Sequence, residues 1–397
     1  MKTGFKVLSL VSLIVFMASS AFATNGMRMI GFGPVQRSMG GIGVASSFDA
    51  ASVITNPAGI ADLKGRIDFG ASYFAPTVKH EGVGAFTSTS TITSDRGASP
   101  VPAFGLVIPL SEKLNFGIGA YGVSGMGVDY KNNVYTSILS TSYSQMRFAP
   151  GLSYKINDMV SVGAVVNVMY ATMEFSAATS TSMGQEAHMN AASFGYGATI
   201  GLTVKPVEMV NFGLAYETKS NFQDFEFNTN AGKDKLAFDQ PQSVTGGIAI
   251  KPVKDFTIAL EVQWIQWSDT NGKNEPKFSK NSSGATPWNL NWDDQVVYKI
   301  GAQYALTPMF TVRAGFNYGK MPLDKTRAFE NIAFPAIAEY HYTAGVGIAF
   351  NNNLSLNFGG MYSPEASLKG SNLLQGIAAY KTTMSQYSLD MGLAYVF

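Results

Sequence analysis

The chain has 397 residues, of which only 14% are charged and 12% aromatic, with 41 glycines, no cysteine and a formal net charge of +1. Soluble domains carry about 25% charged residues, and so aromatic and glycine-rich a chain is not disordered either. The near-zero charge gives no footprint for nucleic acid, and the lack of cysteine excludes disulfides, thiolate metal sites and a cysteine nucleophile.

Residues 1–23 read as an export signal. Lys2 and Lys6 open it, an apolar run covers residues 7–17, and Ala21-Phe22-Ala23 fits the small-residue cleavage rule. No later stretch reaches the 18 or so consecutive apolar residues of a spanning helix. Residues 24–65 show no periodicity. They carry Gly26, Gly31, Gly33, Gly40, Gly41 and Gly43, with Ile30, Phe32, Met39, Ile42, Val53, Ile54 and Ile60 between and beyond. The segment is too long for a connector and too apolar for a solvated tail. It needs a dry interior to occupy.

From residue 66 to the end the chain alternates. Phe310, Val312, Ala314, Phe316 and Tyr318 interleave with Thr311, Arg313, Gly315, Asn317 and Gly319. Tyr387, Leu389, Met391, Leu393, Tyr395 and Phe397 interleave with Ser388, Asp390, Gly392, Ala394 and Val396. One face is large and often aromatic, as lipid contact requires; the other is small or polar. Arg147, Glu217, Lys219, Glu261, Lys299, Arg313, His341 and Asp390 all fall on the second face. A basic residue on the lipid face costs about 2–4 kcal/mol at the midplane, so this segregation points to a membrane barrel.

Six tight turns alternate with seven long segments, the last of them 321–338 and 363–385. The count predicts an all-β, 14-stranded antiparallel transmembrane β-barrel in the bacterial outer membrane. Strand centres are expected near Tyr73, Gly105, Gly119, Leu152, Val166, Ala198, Leu214, Gly247, Leu260, Gly301, Gly315, Val346, Phe358 and Gly392. Pro76 makes the first strand the weakest. A barrel this wide is not filled by its own side chains, so residues 24–65 are expected as a hatch, or plug, inside the lumen of the 66–397 barrel. The terminal Phe397 is expected to serve the barrel-assembly machinery, and outer-membrane lipids are the other partner.

The run SMGGIGVASSFDAASVITNPAGIA at 38–61 resembles the hatch of the FadL/TodX family, outer-membrane transporters of fatty acids and hydrophobic compounds. Residues 114–130, 257–268 and 298–316 extend the resemblance over nearly the whole chain after the signal. It implies passive uptake of a hydrophobic small molecule, a long-chain fatty acid or a monoaromatic hydrocarbon, through a lateral opening beside a kinked third strand. It also implies that the hatch motif Asn56, Pro57, Ala58 lies against that kink. Glycine within a strand marks a bulge or close approach, and Gly122 and Gly125 are the candidates here; making room for the hatch is the alternative.

On the fifth strand, Val165, Met169, Met173 and Phe175 form an apolar inward wall for ligand or for hatch packing. Methionine suits variable ligand shapes. Fatty-acid members of the family place basic side chains in their pocket. Here Arg147, Lys299 and Arg313 are the inward cations, available to a head group or paired with Glu217, Glu261 or Asp390. The third and fourth outer loops, 177–191 and 223–241, read as short and polar. The later loops carry Phe329, Phe334, Leu373 and Leu374, the expected surface for gathering cargo.

Gly117-x-Gly119-x-x-Gly122 matches a dinucleotide fingerprint, but inside a strand with no helix after it. His80, His188 and His341 have no metal spacing, and no nucleophile elbow occurs. No cofactor, metal or enzyme activity is expected. A general porin for small polar solutes and an adhesive barrel are the competing non-enzyme classes.

Overall fold

The computed structural model describes residues 25–84, 91–130, 138–177, 188–229, 232–275, 277–280, 289–328, 330–372 and 377–397. The expected signal lies outside them. Fourteen strands form the wall: β1 (Arg66–Gly84), β2 (Ser99–Pro109), β3 (Leu114–Asp129), β4 (Ile138–Lys155), β5 (Val160–Ala177), β6 (His188–Val207) and β7 (Val210–Glu217), then β8 (Ser243–Val253), β9 (Phe256–Ile265), β10 (Gln295–Ala305), β11 (Phe310–Gly319), β12 (Tyr340–Ala349), β13 (Leu354–Asn372) and β14 (Ile377–Val396). Each pairs antiparallel with its neighbour in sequence, and β14 returns to β1 from Arg66↔Val396 onward. Closure leaves no sheet edge in the hydrocarbon, where unpaired backbone groups are costly.

All fourteen expected centres fall inside strands. The expected loop at 363–385 does not exist as such: β13 and β14 run on as a hairpin to Asn372 and Ile377. Pro364 and a register shift between Ser363 and Ala366 break the alternation there without ending the strand. Pro76 fits because β2 pairs with β1 only as far as Phe74, so the missing N–H has no partner to lose.

The outward side chains form the lipid face, with Tyr73, Leu152, Val166, Tyr196, Leu260, Tyr298, Tyr342 and Leu389 among the exposed ones. Inside the periplasmic half sits the hatch, two helical turns, α1 (Gly33–Arg37) and α2 (Ser52–Thr55), and a 3₁₀ turn at Pro57–Asp62. Wall glycines give it room. A Cβ on Gly213 would lie 2.1 Å from the Val44 carbonyl oxygen, and one on Gly315 2.1 Å from the Met39 carbonyl carbon. Within the hatch, Gly41 has φ +83°, and a Cβ there would meet the Ile30 carbonyl at 1.7 Å. Only glycine closes that turn.

The outer half of the lumen is filled from above. Phe225, Phe227, Leu236, Phe238, Trp267, Leu290, Trp292, Ile332 and Phe334, all from loop segments, join Tyr143, Met173 and Phe175 of the wall in one buried cluster. The fourth outer loop is therefore not the polar segment expected. It forms a hairpin, Phe225–Thr229 with Gly232–Leu236, whose apolar residues alternate inward.

Candidate functional site

Between β2 and β3 the wall breaks locally. Pairing of β2 with β3 ends at Ala103↔Tyr121, and β3 then shifts register against β4 between Gly122 and Ser124. Above that point β2 offers Pro100 and Pro102 on alternate positions while still paired with β1. Proline has no N–H to donate, and within a sheet it is confined to an unpaired side. These two residues withhold the donors that would otherwise zip β2 to β3. Gly122 faces β2, where a Cβ would lie 2.6 Å from the Val101 side chain.

The freed edge of β3 is covered by the start of the described chain. Met29 N–H donates to the Val123 carbonyl (3.0 Å), Gly125 N–H donates to the Met27 carbonyl (3.1 Å), and the Ser124 hydroxyl donates to the same carbonyl (2.8 Å). Residues 25–29 thus take the place of a strand. Above the break, a strap from the first outer loop crosses from β1 to β4. Ser94 N–H donates to Val78, Asp95 N–H to Asp129, and the Arg96 guanidinium to the Thr141 carbonyl and Ser142 hydroxyl. The result is a framed window between β2 and β3, filled by residues 25–29.

Behind the window lies a cavity of about 60 Å³, lined by Arg28, Arg147, Glu217, Glu261 and Lys299 together with Met29, Ile30, Phe32, Val123 and Gln145. That is space for a few waters. Glu217 accepts from Arg28 (3.1 Å) and Arg147 (2.5 Å). Arg28 also donates to the Pro241 carbonyl and the Ser243 hydroxyl, and lies 5.8 Å above the Trp267 ring. Burial lowers its pKa most, opposed by Glu217. Glu261, 1% exposed, accepts from three successive hatch amides, Gly43 (2.9 Å), Val44 (2.5 Å) and Ala45 (3.3 Å). Lys299 lies 3.9 Å from its other oxygen and donates to the Gly41 carbonyl. Three cations thus face two carboxylates, and Arg147 Nε and Nη1 have no hydrogen-bond partner among the described residues.

The residues singled out from the sequence separate by height in the lumen. Val165 packs with α2 and Ile60 of the hatch, whereas Met173 and Phe175 belong to the outer cluster. Met169 lies between them, its sulfur accepting from Gln145. Arg147 and Lys299 meet at the cavity; Arg313 does not, being engaged with Gln303 and Asn357 nearer the periplasm. Asp390 takes Arg37 of the hatch instead (3.2 Å).

The Asn56-Pro57-Ala58 turn does not lie against the register shift between Gly122 and Ser124. Asn56 donates to Val44 and to Leu202 of β6, its oxygen accepts from Ala58 N–H, and the turn rests on Gly163 and Gly201. The gap left by those two glycines is what admits it. Phe334 is fully buried against Phe175 and Phe238, so it is no surface for gathering cargo. Phe329, Leu373 and Leu374 lie outside the described residues. Arg28, Pro100, Pro102 and Trp267 were missed. The signal for Arg28 was a basic residue in an otherwise apolar segment.

Where the hatch meets β1, Arg66 holds Asp68 through both Nε and Nη2, and Asp68 accepts from Ala50 N–H at 2.7 Å. Asp49 is buried beside them. Burial first, then Asp68, raises its carboxyl to about 7. Its unfolded value is about 4, so the seated hatch holds an extra proton between those values. The contribution of Asp49 to seating is therefore greatest at low pH and is lost as pH rises through 7. Hydrogen exchange of hatch amides should quicken from pH 5 to pH 8 beyond the intrinsic rate, and Asp49→Asn should remove that excess.

A family model described as "Outer membrane protein transport protein (OMPP1/FadL/TodX)" matches residues 10–397. The chain is 21% identical to the long-chain fatty acid transport protein of Salmonella typhi, over 88% of this chain and 89% of that one. It is 23% identical to outer membrane protein P1 of Haemophilus influenzae, over 87% and 80%. A FadL homologue of Pseudomonas aeruginosa superposes with a TM-score of 0.80 at 17% identity, over 94% and 100%. The toluene transporter TodX of Pseudomonas putida superposes with 0.74 at 19%, over 93% and 99%.

Proposed function

Because the chain belongs to the OMPP1/FadL/TodX family of outer-membrane transporters of hydrophobic compounds, we propose that its cargo is a long-chain fatty acid, bound by its carboxylate at the cavity and released sideways through the window between β2 and β3. The observation that carries this reading is the cavity's charge: Arg28, Arg147 and Lys299 against Glu217 and Glu261. Unpaired buried charge is costly, and a carboxylate supplies the missing partner. The acyl chain gains about 0.8 kcal/mol per buried CH₂, which an aqueous pore would forfeit.

Arg28 links the two events. Its backbone lies in the segment covering β3, opposite Ser124, and its side chain binds Glu217. A carboxylate competing for Arg28 and Arg147 draws on the contacts that hold the window shut. The ligand shifts the hatch equilibrium only through such differential contacts. The filled lumen of the described residues argues against a general porin.

Binding of hexadecanoic acid and of toluene to the purified protein tests the reading. Arg147→Gln should weaken hexadecanoic acid by roughly tenfold or more, the worth of a charge-assisted hydrogen bond, and leave toluene unchanged. A second reading, monoaromatic hydrocarbon, is favoured by the ring-lined outer cluster of Phe175, Phe227, Phe238 and Phe334. Toluene binding more tightly than the acid, with no response to Arg147→Gln, would establish it instead.

A further inference from the structure

Four inward residues on adjacent strands form a row that the ion network does not use. Asn317 on β11 stands opposite His341 on β12. Ser363 on β13 follows Tyr362, the partner of Tyr342, and so continues the row from His341. Gln386 on β14 stands opposite Ser363. All four are at most 2% exposed. Three of them carry a polar atom with no hydrogen-bond partner among the described residues: Asn317 Oδ1, Ser363 Oγ and Gln386 Oε1. The contacts made within the row and to the hatch are Gln386 Nε2 with His341 Nε2 (3.2 Å), the His341 ring with the Asn317 backbone, and Asn317 Nδ2 with the Gly40 carbonyl (3.2 Å).

Buried polar atoms are nearly always satisfied, and three neighbouring exceptions call for a partner. The row lies between the hatch below and Leu368 and Met384 of the outer cluster above. The wall is also loosened here. The β13–β14 register shifts just past Ser363, and on the other side of β14 the residue opposite Gln386 is Pro76. Bulges of this kind re-aim side chains and gather at functional sites.

We propose that Asn317, His341, Ser363 and Gln386 form a hydrogen-bonding subsite for a hydroxyl carried on the acyl chain of the cargo. This rests on the reading that the carboxylate sits at the cavity. None of the four is a carboxylate, lysine or arginine, so the subsite suits a neutral oxygen. Asn317 Oδ1 and Gln386 Oε1 accept, Ser363 Oγ donates or accepts, and a hydroxyl answers both needs. Lys299 stands opposite Asn317, at the end of the row. From Lys299 to Ser363 is three strand spacings, about 14 Å. The hydroxyl therefore lies well down the chain rather than beside the carboxylate.

The test compares octadecanoic acid, its mid-chain hydroxylated forms, and the matching secondary alcohol without a carboxylate, each binding to the full protein. The wild type should prefer one hydroxylated acid over the plain acid by roughly tenfold. Ser363→Ala combined with Gln386→Leu should abolish that preference while leaving the plain acid's affinity unchanged, which also reports correct folding. If the double variant does not fold, Ser363→Ala alone should reduce the preference. No preference in the wild type, a preference retained in the variant, or a ligand complex with ordered water only at the row would overturn the proposal. If the secondary alcohol binds at the row and neither acid binds, the head-group reading fails and the subsite stands.

Discussion

Glu261→Ala is expected to raise the hydrogen-exchange rates of the Gly43, Val44 and Ala45 amides by roughly two orders of magnitude or more. The substitution removes the one oxygen on which three hatch N–H groups converge and leaves Lys299 buried without its carboxylate. Breaking a buried ion pair by removing one partner costs about 3–5 kcal/mol, and unsatisfied backbone donors add to it. Glu261→Gln keeps an acceptor and should show a smaller rise. Exchange measured by mass spectrometry on peptides spanning residues 38–48 decides the matter. Unchanged protection would mean that the hatch is seated by shape alone. Ion conductance should stay low even in the alanine variant, because the outer loop cluster still fills the other half of the lumen.

Joining residues 25–29 covalently to β3 should stop transport. Arg28 and Ser124 face each other with the flanking amides of Met29 and Gly125 hydrogen-bonded across, the arrangement of a non-hydrogen-bonded antiparallel pair. Such pairs have Cα atoms about 4.5 Å apart, inside the range a disulfide tolerates, and the chain contains no cysteine to interfere. With Arg28→Cys and Ser124→Cys together, uptake of labelled hexadecanoic acid should fall at least about tenfold on oxidation and return on reduction, as for a locked gate. The comparison is within one variant, so the loss of the Arg28 charge is common to both states. Equal uptake by the oxidised and reduced forms would remove the window as the exit.

Periodicity made the barrel legible because lipid outside and hatch inside impose opposite demands on successive residues. It failed where that rule lapses. Between Ser363 and Ala366 the extra residue inverts the alternation, so the outer reach of β13 read as loop. In the fourth outer loop, Phe225-Glu226-Phe227 alternates as a strand should, but its charged partners made the segment look polar. Candidate cations were visible on the inward face; their engagement was not. Arg147 is on β4 and Glu217 on β7, and only the curvature of the closed wall brings them together. Pro100 and Pro102 were in plain view, yet their meaning depends on which neighbour each strand edge faces.

Hatch and loop cluster stand one behind the other along the same axis, and the break in the wall between them, filled by residues 25–29, faces the membrane. On the proposed sideways route, cargo would reach the bilayer without any moment at which outside fluid communicates with the periplasm.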